Sequence, residues 1–159
     1  MSHPPATILV NSPVGAIELV AEDERLVSLK IMPGAKPSGY VASHPILVET
    51  VKQLDEYFEG KRENFDVPLA PLSTERGEVL RAGIASIPYG ETLTYGMLAK
   101  VIVSAPRAVG QACRRNPYPI IIPCHRVTSA NGAPEHYSGG DGINTKSWLN
   151  AFEAKNKES

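Results

Sequence analysis

Apolar and polar positions divide the chain into a β-prone opening and a helical remainder. Thr7–Val10, Gly15–Ala21 and Leu26–Ile31 are short β-prone runs separated by Asn11-Ser12-Pro13 and Glu22-Asp23-Glu24. That alternation of runs and turn residues predicts a small antiparallel sheet. Pro33 to Gly39 reads as a loop, after which Leu47, Val51, Leu54 and Phe58 recur at helical spacing until Gly60 ends the helix. Phe65-Asp66-Val67 predicts one further strand before a linker from Pro68 to Pro71. The domain boundary is therefore placed between residues 1–70 and 71–159.

The second part opens with a helical pattern from Ser73, with Leu80, Ile84 and Ile87 on one face and Pro88-Tyr89-Gly90 as its stop. Thr94 has the chemistry of an N-cap for a helix through Val103. After a break at Val103-Ser104-Ala105, Pro106 suits the first turn of a second helix running to about Arg115. Two short helices joined by a tight turn predict a helix-turn-helix. On the second helix, Val109 and Cys113 lie four apart and face inward, which makes Cys113 a small core residue. Arg107, Gln111 and Arg114 share the opposite side, flanked by Ala108 and Gly110. Small residues on a basic face allow close approach to a nucleic acid; an ordinary solvated face fits the same pattern.

Asn116-Pro117 turns the chain into Pro119-Ile120-Ile121-Ile122-Pro123, an apolar β-branched run that predicts a buried strand segment. A long loop from Thr128 to Thr145 follows, with Tyr137-Ser138-Gly139-Gly140 at its centre. The last helix opens near Thr145, buries Trp148, Leu149 and Phe152, and gives way after Glu153 to a charged tail expected to fray. The fold class is α+β: a small N-terminal lobe of antiparallel sheet and helix, then a mainly helical domain.

At 159 residues and net charge −1, bulk electrostatics do not make this a protein that coats nucleic acid. The distribution changes that picture. No acidic residue lies between Glu91 and Glu135, whereas Lys100, Arg107, Arg114, Arg115 and Arg126 do. One local surface is therefore expected to be positive. Two cysteines make neither a disulfide framework nor a cysteine-rich zinc site, so a reducing, cytoplasmic compartment is expected. Neither a secretory leader nor a membrane span is expected.

The densest chemistry is Cys124-His125-Arg126. A cysteine acts as a nucleophile through its thiolate, favoured beside histidine or arginine and disfavoured in apolar surroundings. On a strand, adjacent side chains point to opposite faces, so His125 can serve Cys124 only if the backbone turns there or a water bridges them.

Ile122-Pro123-Cys124-His125-Arg126-Val127, preceded by Arg107-Ala108-Val109-Gly110 and Asn116-Pro117 and followed by Tyr137-Ser138-Gly139-Gly140, resembles the O6-alkylguanine-DNA alkyltransferases over roughly Ile87 to Glu153. The resemblance implies that Cys124 irreversibly takes the alkyl group from O6 of a damaged guanine, or O4 of thymine, in a single turnover without a cofactor. It further implies His125 as base through a water, and Glu153 as its orienting partner. Tyr95 would help turn the nucleotide and donate a proton to the departing guanine. The helix-turn-helix would enter the minor groove of double-stranded DNA containing O6-alkylguanine, with Ala108, Gly110, Gln111, Arg114 and Tyr95 at the interface. Arg107 would fill the space left by the extruded base. Val127, Tyr137 and Ser138 would line the base pocket, while Asn116 and Arg126 hold the recognition helix to the active-site strand. The implied protein is a monomer. Unlike some relatives, this chain has no cysteine before Cys113, so no structural zinc is expected. Asn150 stands where leucine is usual.

Three other readings compete. A lesion binder without chemistry would carry another residue, typically tryptophan, at Cys124. A cysteine hydrolase would need Cys124 and His125 to pair directly and would leave the basic helices without a task. A transcription factor would be expected to read the major groove.

Overall fold

The computed structural model describes residues 5–37, 44–130 and 142–157, and the chain divides into two compact units, Met1–Ala70 and Pro71–Ser159. In the first, β1 (Ala6–Val10), β2 (Ala16–Glu22) and β3 (Arg25–Met32) form an antiparallel sheet in the order β1-β2-β3. The period-two pattern of β2 buries Ile17, Leu19 and Ala21 completely. Asp23, at φ 54°, turns β2 into β3, a left-handed position that a short polar side chain tolerates. Helix α1 (Pro45–Phe58) contacts all three strands and contributes Leu47, Leu54 and Tyr57 to the core.

The strand expected at Phe65-Asp66-Val67 does not form. Gln53 takes the Asp66 backbone instead, donating to its carbonyl at 3.1 Å and accepting from its N–H at 2.8 Å. Strand-like pairing is limited to one parallel bridge between Leu26 and Leu69, because Pro68 and Pro71 supply no donors to extend it.

The second unit begins with α2 (Glu75–Ala85), capped by Thr74, whose side chain accepts from the Gly77 N–H. Leu93–Thr94 forms β4, followed by α3 (Tyr95–Val101), α4 (Pro106–Arg114), a 3-10 turn (Cys124–Arg126), β5 (Val127–Thr128) and α5 (Ile143–Lys157). The Thr94 hydroxyl accepts from the Met97 N–H at 3.0 Å and so caps α3. Helix α3 ends two residues earlier than its apolar pattern suggests, and Val103 adopts φ 54° in the tight turn to α4. Val109 and Cys113 are fully buried, as their spacing predicts.

Three expectations in this unit are corrected. Pro119–Pro123 is buried but is not a strand. Ile120 sits at φ 78°, the Ile122 N–H bonds the Tyr118 carbonyl at 2.9 Å, and Asn116 donates to the Ile122 carbonyl at 2.9 Å. Local turns and one side chain thus satisfy groups that a ladder would have used. Trp148 is 37% exposed rather than buried, its ring stacked on Phe152 at 5.0 Å. The tail continues α5 through Lys157, whose ammonium pairs with Glu91 at 2.7 Å.

A feature absent from the sequence reading is the parallel pairing of β4 with β5, Leu93 opposite Val127. This two-residue ladder ties the start of α3 to the exit of the 3-10 turn. Among the described residues, no helix is long and apolar enough to cross a membrane.

Candidate active site

The 3-10 turn supplies the backbone bend that a strand could not. It follows from Pro123, whose carbonyl accepts from the Arg126 N–H at 2.9 Å. With about three residues per turn, the side chains of Cys124, His125 and Arg126 leave it in three directions. Cys124 and His125 are completely buried and Arg126 nearly so.

Each side chain has a fixed partner. Glu153, on α5, holds His125 Nε2 at 2.7 Å and receives a two-pronged bond from Arg126, Nε to Oε1 at 2.8 Å and Nη2 to Oε2 at 3.0 Å. Arg126 Nη1 also donates to the Ile87 carbonyl at 2.7 Å, and its guanidinium lies over the Tyr89 ring. Arg126 therefore fastens α5 to the end of α2. Asn116, just beyond α4, donates to the Ile122 carbonyl and lies 3.2 Å from Cys124 Sγ. The Gly90 N–H donates to Glu153 Oε1 at 3.3 Å. Gly90 is at φ +77°, and a Cβ there would lie 2.6 Å from the Lys157 side chain, so this approach requires glycine.

Burial dominates the electrostatics. It pushes the Cys124 thiol up to about 11, against the opposing Asn116 hydrogen bond and Lys146 charge. Cys113 rises to about 12, again mainly through burial. Burial lowers His125 and keeps the imidazole neutral, although Glu153 pulls the other way. Burial alone would raise Glu153, but the bonds and charges of His125 and Arg126 hold it far below the usual carboxylate range. The resting site thus holds a protonated thiol, a neutral imidazole and a carboxylate anion. An anion at Nε2 favours the tautomer with its proton there, which makes Nδ1 the basic nitrogen. Such a set can remove the thiol proton when an electrophile arrives, rather than storing a thiolate.

Tyr95, the first residue of α3, is half-buried, and a Cβ on Gly110 would lie 3.9 Å from its ring. Its hydroxyl is 3.5 Å from Lys146 Nζ. Arg107 and Arg114 are exposed on α4, with Ala108, Gly110 and Gln111 partly exposed. Val127 is fully buried in β5. Tyr137 and Ser138 lie outside the described residues.

Sequence reasoning missed Lys146 as part of the site and treated Asn150 only as an unusual residue. Asn150 Nδ2 donates to the His125 carbonyl at 2.7 Å, and Lys146 is fully buried. The available signal was helical phase. Positions 146, 150 and 153 recur on the face of α5 that carries Glu153, and a lysine and an asparagine on an inward face need partners.

Two family models match: the 6-O-methylguanine DNA methyltransferase ribonuclease-like domain over residues 7–71 and the DNA binding domain of the same protein over residues 76–155. A methylated-DNA–protein-cysteine methyltransferase of Methanosarcina acetivorans is 43% identical over 138 residues, covering 83% of this chain and 88% of the relative. One of Mycobacterium leprae is 38% identical, with 82% of each chain covered. The crystal structure of Mycobacterium tuberculosis O6-methylguanine methyltransferase superposes with a TM-score of 0.82 at 32% identity, covering 96% of this chain and 94% of that one. The same organism's protein in complex with DNA gives 0.78 at 33% identity, covering 93% and 92%. The chain therefore belongs to the methylated-DNA–protein-cysteine methyltransferase family, a class of DNA-repair methyltransferases.

Proposed function

We propose that this protein reverses O6-alkylguanine damage, and O4-alkylthymine damage, by irreversible transfer of the alkyl group to Cys124. The observation that carries the reading is the chain of contacts at one turn: Asn116 at the sulfur, His125 beside it in sequence, and Glu153 holding the imidazole. In this scheme His125 takes the thiol proton through a water and Glu153 stabilises the imidazolium that forms. Sulfur then attacks the alkyl carbon, the carbon–O6 bond breaks, and the electron pair leaves on guanine, which accepts a proton from Tyr95. A thioether has no route back, so each molecule acts once.

A sulfur with no exposed surface cannot reach a base inside a duplex, so the nucleotide has to leave the stack. The exposed basic face of α4 supports this step. Arg107 fills the vacated space, while Ala108, Gly110, Gln111 and Arg114 follow the minor groove. Val127, Tyr137 and Ser138 line the base pocket. Asn116 and Arg126 act as structural ties. The protein works as a monomer in the cytoplasm, where its two thiols stay reduced.

The test is to incubate the protein with a duplex carrying methyl-labelled O6-methylguanine and to weigh it afterwards. One methyl per molecule is expected, with none on Cys124→Ala. An unchanged mass with an intact thiol would overturn the reading. Turnover of an ester or peptide would instead favour a hydrolase.

A further inference from the structure

Helix α3 closes on a residue poorly suited to the place it occupies. Val103 follows the last helical turn at φ 54°; its N–H bonds the Lys100 carbonyl at 3.4 Å, and the Ser104 N–H bonds the Ala99 carbonyl at 2.8 Å. That pair of bonds is the helix ending built around a left-handed residue, a position glycine fills without strain and a β-branched residue does not. Packing offsets none of the cost, because Val103 is 85% exposed. Arg76, on α2, braces the turn from outside by donating Nη2 to the Val103 carbonyl at 3.0 Å. Backbone strain that the surroundings hold in place, and that burial does not offset, points to a function for the side chain it displays.

We propose that Val103 is a second DNA-contacting point, an apolar wedge pressed against the deoxyribose wall of the minor groove beside Arg107, with Arg76 as the positioning residue that holds it there. The inference rests on the reading above, in which α4 enters that groove. The turn lies immediately before Pro106, which opens α4, and exposed Arg107. From α3 through α4 the chain carries Lys100, Arg107 and Arg114 and no acid, so the partner that fits this surface is a polyanion. An exposed aliphatic side chain in a cationic frame matches the minor groove, where proteins set apolar wedges against sugars and base steps. Two contacts at the entry to one helix fix its roll in the groove, whereas Arg107 alone would leave it free to turn. The finger then meets the stack at one nucleotide. Valine carries no charge, so its contact releases no counter-ion, which separates it from any phosphate contact.

The experiment compares wild type, Val103→Gly, Val103→Asn and Arg76→Ala. It measures the urea midpoint, affinity for undamaged duplex across a salt series, and single-turnover rates on a subsaturating O6-methylguanine duplex and on free O6-benzylguanine. Glycine and asparagine both accept left-handed backbone, so Val103→Asn should keep or raise the midpoint. Both Val103 variants are expected to bind duplex about five-fold more weakly and to repair it correspondingly more slowly, with the salt slope and the free-base rate unmoved. Stability held while DNA-dependent steps fall is a result that a purely structural valine would not give. Arg76→Ala should cause a similar loss alone and little further loss when combined with Val103→Gly. Duplex affinity and repair at the wild-type level in both Val103 variants overturn the proposal, and so does an equal loss on the free base or a lowered midpoint in Val103→Asn. A salt slope reduced by about one in Arg76→Ala would make that arginine a phosphate contact and overturn its positioning role. Failure of the wild type to transfer a methyl would refute the repair reading instead, while the affinities for undamaged duplex would still decide the part played by Val103.

Discussion

The Asn116 side-chain amide lies 3.2 Å from Cys124 Sγ while donating to the Ile122 carbonyl at 2.9 Å. One residue therefore both shapes the approach to the nucleophile and contacts its sulfur. Replacing Asn116 by Ala removes the donor that opposes the effect of burial on the thiol. The thiol should then ionise at higher pH, and transfer should slow. The carbonyl of buried Ile122 loses one of two donors and keeps the Cys124 N–H at 2.7 Å, at a cost of about 0.5–1.5 kcal/mol. Iodoacetamide rates against pH and urea unfolding check the two effects; an unchanged thiol profile would contradict the first.

Glu153 is the common partner of His125 and Arg126 in a region closed to solvent. Glu153→Gln leaves the Arg126 charge buried without its counter-ion, and stability should fall by about 3–5 kcal/mol. Adding Arg126→Met should recover part of that loss, because no uncompensated cation remains. Urea unfolding of both variants decides the matter. A single variant within about 1 kcal/mol of wild type would show that the pair contributes little.

Arg107 is exposed in the first turn of α4. If it fills the stack after extrusion, Arg107→Ala should slow repair of a duplex about ten-fold or more, yet barely alter reaction with free O6-benzylguanine. Single-turnover rates on the two substrates test this. Equal losses on both would assign Arg107 to the chemistry or to the fold.

Burial raises Cys124 from 9.0 to about 11 and Cys113 from 9.0 to about 12. The folded state keeps both protons at a pH where the unfolded chain has released them. The stability they contribute is therefore fully present below pH 9.0 and is lost as pH rises through about 11 and 12. For Cys124 alone the full loss is roughly 2–3 kcal/mol. Urea midpoints measured across this range should fall more steeply for wild type than for the Cys113→Ala, Cys124→Ala double variant. Parallel slopes would mean that other groups govern the alkaline limb.

The three strands, the cap at Thr94 and the inward face of α4 could all be read from the chain because each follows from spacing among nearby residues. The route from Pro119 to Pro123 could not. A β-branched run argues for extended backbone, while the fold places Ile120 at φ 78° and pairs the Ile122 carbonyl with a side chain six residues earlier. That choice belongs to tertiary contacts. The site shows the same division. Cys124 and His125 came from a local motif and Glu153 from the family resemblance, but Arg126 reaching the Ile87 carbonyl and Lys146 reaching Tyr95 depend on which helices meet. Two-residue strands such as β4 and β5 carry too little periodicity to register at all.

The enclosure of Cys124 bears on how long an idle copy remains usable. Peroxides and small disulfides in the surrounding fluid meet neither an open sulfur nor an anionic one. If Cys124 accepts one alkyl group irreversibly, as proposed above, such enclosure keeps each molecule fresh until a base of the right shape is delivered to it. Repair capacity is then set by the stock of unspent copies rather than by any catalytic rate.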